Sequence, residues 1–362
     1  MINKNILYFT RTMGVGGTEK VILQLCEIMK QESNKIVVCS CGGVNVEELN
    51  KMGIKHYGIP DIEKKDIKTV LNTLKIVSKI IKRENINIVH THHRMAAFYT
   101  KIFKITRSFI FIHSAHNTFK DKKLLTKFAL GNAYIVAVGN KVKENLCDFY
   151  RIPKCNVEVI HNAIKPFKGP IQPIELLQKY RRDGYFLVGN IGRLSEQKGM
   201  EYFIKAVPLV LKEYRKIKFF IIGDGEDKEK LENLVSDLNL KNDVILLGYR
   251  NDIQNVMSQL ELIVLSSLWE GFPLTPIEAF SVGKTIVATA VDGTVEIVED
   301  GVNGILIDPK EEGQIADGIG EIYKFCEKTK TFEESAFEKY KEEFSYEVLK
   351  NRYRIYYKKL MG

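Results

Sequence analysis

Apolar and polar positions along this chain follow two rhythms that trade places. Ile6 to Thr10 is a short apolar run, Thr18 to Lys30 has apolar residues at helical spacing, and Lys35 to Cys39 is a short apolar run again. Asp66 to Arg83 reads as a long amphipathic helix and Ile86 to Val89 as a strand. Short apolar runs bounded by turn residues predict buried strands, and a 3.6-residue apolar repeat predicts helices. Further strands are expected at Tyr134 to Val138, Val157 to Ile160, Tyr185 to Ile191, Phe219 to Gly223, Val244 to Gly248, Leu262 to Leu265 and Thr285 to Thr289. Alternation of this kind argues for parallel α/β layers. With 362 residues the chain exceeds what one core usually supports, so two domains are expected. Pro166, Gly169, Pro170 and Pro173 punctuate the boundary. The expected division is a first domain over 1–165, a linker over 166–184, a second domain over 185–344 and a basic amphipathic helix over 345–362.

Open α/β sheets place ligands at the carboxyl ends of their strands, so the residues just past each apolar run are the candidates for chemistry. After Leu265 come two serines and then Trp269-Glu270-Gly271-Phe272-Pro273-Leu274-Thr275, a Gly/Pro-rich turn opening into a short helix that carries Glu278. A helix start offers free N–H groups and the positive end of its dipole. Glu270 and Glu278 are too far apart to touch locally, so each can hold a different part of one elongated ligand; a carboxylate near a helix start can also simply complement the dipole. Gly192-Arg193-Leu194-Ser195-Glu196-Gln197-Lys198-Gly199 stands in the same position after an earlier strand, and a fixed Arg and Lys there suit a diphosphate. Met13 to Glu19 contains Gly14, Gly16 and Gly17 without the third glycine of a dinucleotide fingerprint; by itself it reads equally as a tight turn or as a ligand loop. Two strand ends carry histidines, His90-Thr91-His92-His93-Arg94 and His113-Ser114-Ala115-His116-Asn117. No carboxylate or cysteine at ligand spacing joins them, and no metal site is expected. His113 is expected to be a hydrogen-bonded core residue.

Taken together, these stretches resemble the retaining glycosyltransferases of family 4. Glu270 and Glu278 match that family's pair of glutamates with seven residues between them, Gly192-Arg193-Leu194 with Lys198-Gly199 matches its basic motif, and Gly16-Gly17-Thr18-Glu19 resembles its first glycine loop. Val291 to Val298 resembles the family's Gly-Gly-x-Pro-Glu turn, with Asp292 and Val295 substituted, and Ala163 stands where glycine is common. The resemblance covers nearly the whole chain. It implies a GT-B fold: two doubly wound Rossmann-like domains facing across a cleft, with a C-terminal helix returning to the first. It also implies transfer from a nucleotide-sugar donor, with Arg193 and Lys198 on the diphosphate and Gly16 and Gly17 meeting it from the first domain. Glu278 is then expected on the ribose, Glu270 with the Gly271, Phe272, Pro273, Leu274 and Thr275 loop on the donor sugar, and Gly223 and the Arg250 backbone at the base. His116 is expected beside the anomeric centre, with His92, His93, Arg94 and Asn117 on the acceptor side. The enzyme expected is a hexosyl- or N-acetylhexosaminyltransferase working on a glycan or polyprenyl-linked acceptor for capsule, exopolysaccharide or lipopolysaccharide. The rivals are an epimerase or sugar phosphorylase of the same fold, or an inactive nucleotide-binding partner protein. No cofactor is expected.

Charge adds a partner. Residues 1–180 hold 29 Lys+Arg and 14 Asp+Glu, or +15, and residues 181–362 hold 25 and 31, or −6, within a chain of net +9. In Phe98 to Arg107 and Phe119 to Phe128 the lysines mix with large apolar side chains, a composition suited to an anionic membrane surface. No nucleic-acid motif accompanies the basic half. No apolar run approaches the length of a membrane span. The six cysteines, at 26, 39, 41, 147, 155 and 326, lack metal-ligand spacing. The expected location is the cytoplasm, peripheral at the inner face of the cell membrane.

Overall fold

A computed structural model of the protein describes residues 3–64 and 66–361 and divides the chain into two units. Unit 1 comprises the residues up to Asn162 and those from Leu349; unit 2 runs from Ala163 to Val348.

The strands of unit 1 are β1 (Asn5–Phe9), β2 (Lys35–Ser40), β3 (Lys55–Gly58), β4 (Ile88–Thr91), β5 (Ile110–Ala115), β6 (Tyr134–Ala137) and β7 (Val157–Val159). All pair in parallel, in the order β3-β2-β1-β4-β5-β6-β7. Helices cover both faces of such a sheet, which is why Ile6, Leu7, Tyr8 and Phe9 of β1 are all fully buried. Helix Gly17–Lys30 returns the chain from β1 to β2, and helix Ile67–Arg83 starts where the Asp66 side chain accepts a hydrogen bond from the Thr69 N–H at 2.9 Å. The strand order reverses between β1 and β4.

Unit 2 repeats the plan with β8 (Phe186–Ile191), β9 (Ile217–Ile222), β10 (Val244–Gly248), β11 (Leu262–Leu265), β12 (Ile286–Thr289) and β13 (Gly304–Ile307). These are again parallel, in the order β10-β9-β8-β11-β12-β13, with the reversal between β8 and β11. The side chains of Phe203, Phe219, Leu262 and Ile319 meet in its core.

Three parts depart from the sequence-based expectation. Residues 166–184, expected as a linker, hold helix Glu175–Arg182, which is tied to unit 2 by Leu177, fully buried, and by Arg181 donating to Glu261 at 2.8 Å and to the Gln259 carbonyl at 2.7 Å. Strand β3 was not anticipated, because Lys-His-Tyr-Gly at a sheet edge has no buried face to impose an apolar pattern. Helices Glu312–Lys324 and Cys326–Lys339 and strand β13 were also not anticipated. The C-terminal helix spans Tyr346–Lys359 and buries Leu349, Tyr353, Tyr356 and Tyr357. No helix among the described residues is long and apolar enough to cross a membrane. Cys26, Cys39, Cys41, Cys147 and Cys155 are free thiols, and the side chain of Cys326 lies outside the description.

Candidate functional site

In a doubly wound sheet the loops on either side of the order reversal splay apart and leave a crevice at the carboxyl ends of the strands. In unit 2 those loops are Gly192 to Gly199 after β8 and Ser266 to Pro273 after β11, the two stretches whose chemistry stood out in the sequence. They are knitted together. The Leu268 N–H donates to the Gln197 carbonyl at 2.8 Å, Gln197 Nε2 to the Trp269 carbonyl at 3.0 Å, and Ser266 Oγ to the Lys198 carbonyl at 3.0 Å. Asn190, inside β8, donates to Ser266 Oγ at 2.8 Å. Gly199 makes this approach possible: it has a φ of 56°, and a Cβ there would collide with the Ser266 carbonyl.

Lys198 and Glu270 form an ion pair at 2.5 Å, both largely buried, and Ser267 Oγ donates to the same carboxylate oxygen at 2.7 Å. The ammonium expected to hold a diphosphate is therefore engaged by the glutamate expected to hold the sugar, so an arriving phosphate shares or takes over that partner. Arg193 differs. It is exposed, and among the described residues its guanidinium has no ion pair or side-chain hydrogen bond. Glu278 is buried on helix Leu274–Ser281, whose first turn has no side-chain cap. Phe272 is buried with its ring against Phe344, so of the loop residues it contributes only backbone to any ligand. Gly223, with φ of 152°, abuts the Gly192 carbonyl and spends its N–H on Gly248 at 2.9 Å. Arg250 forms a two-pronged pair with Asp252 at 2.8 and 2.6 Å, which leaves its backbone for other contacts.

One residue was quoted from the sequence only as a departure and gains a role in the structure. Asp292 sits at φ 37°, the left-handed region that a glycine enters without strain, and its carboxylate accepts the backbone N–H of Glu270 at 3.0 Å. A side chain that fastens the Glu270 loop accounts for a non-glycine residue there.

In unit 1 the corresponding loops follow β1 and β4, with β5 alongside. Gly16 precedes helix Gly17–Lys30, and the Glu19 carboxylate, which accepts from Thr12 Oγ1 at 2.7 Å, lies over Gly16. The helix start expected to meet a diphosphate thus already carries a carboxylate that complements its dipole. His93 caps helix Arg94–Thr106, its Nδ1 accepting the Met95 N–H at 3.2 Å. Arg94 lies 3.9 Å over the Phe119 ring and pairs with Asp121 at 2.6 Å. Asn117 is exposed. Residues His92, His93, Arg94, His116, Asn117 and Tyr150 help line one cavity of about 430 Å³ whose remaining wall mixes apolar side chains with polar ones, Glu63 and Lys122 among them. His113 is buried and bonded through Nδ1 to Thr91 Oγ1 at 2.8 Å. Burial pushes the His116 imidazole down to about 4 and His113 to about 3, and it holds His90 and His92 well below the usual range with help from neighbouring histidines. These rings are neutral at neutral pH, suited to hydroxyl groups rather than to phosphate. No group of histidine, cysteine and carboxylate side chains among the described residues is arranged to hold a metal ion.

Two family models match the chain: Glycosyltransferase Family 4 over residues 15–166 and Glycosyl transferases group 1 over residues 174–339. An uncharacterized glycosyltransferase of Methanocaldococcus jannaschii is 26% identical over 333 residues, covering 85% of each chain. The UDP-Gal:alpha-D-GlcNAc-diphosphoundecaprenol alpha-1,3-galactosyltransferase of Escherichia coli is 27% identical over 319 residues, covering 81% of each. Among solved structures, a glycosyltransferase from Rickettsia africae superposes with a TM-score of 0.86 at 22% identity over 99% of both chains. Anabaena HepE in complex with UDP-glucose superposes at 0.84 with 21% identity, over 99% of this chain and all of that one. At these identities the structural likeness establishes the fold.

Proposed function

We propose, from the premise that this chain belongs to the GT-B glycosyltransferases of these two family models, that it is a retaining enzyme using a nucleoside diphosphate sugar. The observation that carries this reading is the knitting of the Gly192 to Gly199 loop onto the Ser266 to Pro273 loop, which gathers Arg193, Lys198, Glu270 and a helix start at one strand-order reversal. Fixed positive charge there stabilises a departing diphosphate, the role a metal plays elsewhere. The acceptor oxygen bonds to the anomeric carbon as the bond to the β-phosphate oxygen breaks, and the acceptor's proton passes to that departing oxygen. No protein nucleophile is required. Glu278 takes the ribose, Glu270 and the Gly271 to Thr275 backbone the sugar, and His116 the region of the reacting carbon. A thermal-shift panel of UDP-, GDP- and ADP-sugars tests the donor site, since a ligand that binds only the folded chain raises its midpoint. One of them is expected to do so in the presence of EDTA; no shift from any, or a shift that needs magnesium or manganese, would count against the reading. An α-linked product from an α-linked donor, read by NMR, checks retention.

The acceptor we favour is a glycan on a polyprenyl diphosphate, in the assembly of a surface polysaccharide at the inner face of the cell membrane. The Escherichia coli relative, by its name, acts on such a carrier. On helix Lys123–Leu130, Leu124 is 83% and Phe128 47% exposed, beside Lys122, Lys123 and Lys127. Ile105, Lys101 and Lys104 belong to helix Arg94–Thr106, which packs against it. Apolar side chains ringed by lysines suit an anionic interface, with each nearby basic residue contributing on the order of 1 kcal/mol. The protein is expected to sediment with phosphatidylglycerol vesicles at low salt and to be released at high salt. Equal partition to neutral vesicles, or none to either, would favour a water-soluble acceptor.

A further inference from the structure

Three imidazoles form a column in unit 1. The rings of His90 and His92 stack with centroids 4.5 Å apart and planes 27° apart, and those of His92 and His116 with 5.3 Å and 25°. Residues two apart on an extended segment point the same way, which aligns His90 with His92. Strand β5, with His113 opposite Thr91, then brings His116 alongside. The column is anchored at its inner end: His90 Nδ1 meets the Tyr357 hydroxyl at 2.7 Å and His90 Nε2 meets Ser114 Oγ at 2.8 Å. Tyr357 belongs to the C-terminal helix, and its hydroxyl continues to that of Tyr8 at 3.3 Å.

The outer end is different. His116 lies just past β5, outside the strand ladder, and its side-chain hydrogen bond is to His92, Nε2 to Nδ1 at 3.0 Å. The other nitrogens, His92 Nε2 and His116 Nδ1, have no hydrogen-bond partner among the described residues, and both side chains line the 430 Å³ cavity. A neutral imidazole carries one N–H, and the bond between the rings needs one hydrogen. If His116 Nε2 supplies it, His116 Nδ1 is a bare lone pair and His92 Nε2 carries the other hydrogen. If His92 supplies it, the assignment is reversed. The pair therefore leaves one buried donor and one buried acceptor without a partner, and fixing one ring's tautomer fixes the other's.

We propose that His92 is a positioning residue for His116: stacked on the anchored His90 and bonded to His116, it holds that ring's plane and couples its tautomer to its own. This rests on reading His116 as a group acting at the reacting sugar. It changes the place of His92, from a direct acceptor contact to the support of the group at the reacting carbon.

The decisive measurement needs no ligand. In full-length protein labelled with 15N-histidine, ring 1H–15N correlations identify each tautomer. His92 and His116 are expected as complementary tautomers that change only together. In His92→Phe, which keeps an aromatic ring in the stack but removes the nitrogen, His116 is expected to average between its two tautomers. An unchanged His116 spectrum in His92→Phe would overturn the proposal. A second arm follows UDP release from UDP-glucose. His92→Phe is expected to lower kcat by about tenfold to a hundredfold, the scale of a misplaced group, with KM within twofold. His92→Asn, which keeps a polar atom near the Nδ1 position, is expected to recover most of it. His92→Phe combined with His116→Ala is expected to match His116→Ala alone. Full activity in His116→Ala would remove the reading of His116 itself, whereas an impaired His116→Ala beside a normal His92→Phe would remove only this proposal.

Discussion

The two units solve the same geometric problem with opposite chemistry. In each, the strand order reverses after the unit's first strand, at β1/β4 and at β8/β11, and the loops beyond that reversal carry the candidate residues. Unit 2 fills the place with charge: Arg193 exposed, and Lys198 paired with a buried Glu270. Unit 1 fills it with neutral rings. All seven histidines, His56 to His161, lie in unit 1 and the single tryptophan, Trp269, in unit 2. The shared layout therefore sets where a ligand can go in each unit, and residue type sets what chemistry it meets there. A fixed cation suits a diphosphate, and a neutral imidazole suits a hydroxyl whose proton is in play.

The largest effect expected is on the charged side. Arg193→Ala and Lys198→Ala should each slow transfer by roughly a hundredfold or more, the scale of removing a preorganised electrostatic donor. Stability separates them. Lys198→Ala leaves the Glu270 carboxylate buried without its cation, a loss on the order of 3 kcal/mol, whereas Arg193→Ala should stay within about 0.5 kcal/mol. Urea unfolding followed by Trp269 fluorescence measures both, and equal stability of the two variants would mean that the ion pair carries little weight. On the neutral side, His116→Ala should lose turnover by about a hundredfold while a fluorescent UDP analogue still binds. Weaker binding in proportion to the lost turnover would move His116 into the donor site and blur the division between the units.

Glu278→Ala should do the reverse. UDP affinity is expected to fall by about tenfold, as for one charge-assisted hydrogen bond, with kcat at saturating donor preserved. A fall in kcat at unchanged affinity would contradict the ribose role. The remaining effect is thermodynamic. Histidines whose folded pKa lies below about 6.5 leave the unfolded chain binding more protons between the two values. Stability is then lost as pH falls from about 6.5, and the loss levels off as His116 and His113 take up protons at about 4 and about 3. Because every histidine is in unit 1, the thermal transition seen by circular dichroism should move down between pH 6.5 and 4.5 while the Trp269 transition holds. A Trp269 transition that follows the histidine titration would show the two units unfolding together.

Much of this was legible before any coordinates. The Leu262 to Leu265 strand is observed with those bounds, the helix expected from Thr18 begins at Gly17, and His113 is the bonded core residue anticipated. Buried parallel strands are short apolar runs because both faces are covered, and that signal is local. Helix Glu175–Arg182 was hidden behind the prolines and glycine that precede it, and β3 by its polar edge. Asp292 was visible as a departure from a family pattern, but its reason was not, because its partner is the backbone of a residue 22 positions away.

The sequence by itself determined the succession of strands and helices, which residues stand past each strand end, and so the kinds of chemistry available there. Periodicity and turn chemistry act over a few residues and need no knowledge of neighbours in space. Only the tertiary structure decided the order of the strands, and with it which loops meet. Lys198 and Glu270 are 72 positions apart, and Tyr357 and His90 267. Nothing in local spacing pairs them. They meet because β8 lies beside β11, and because the C-terminal helix packs Tyr357 among the buried residues of unit 1.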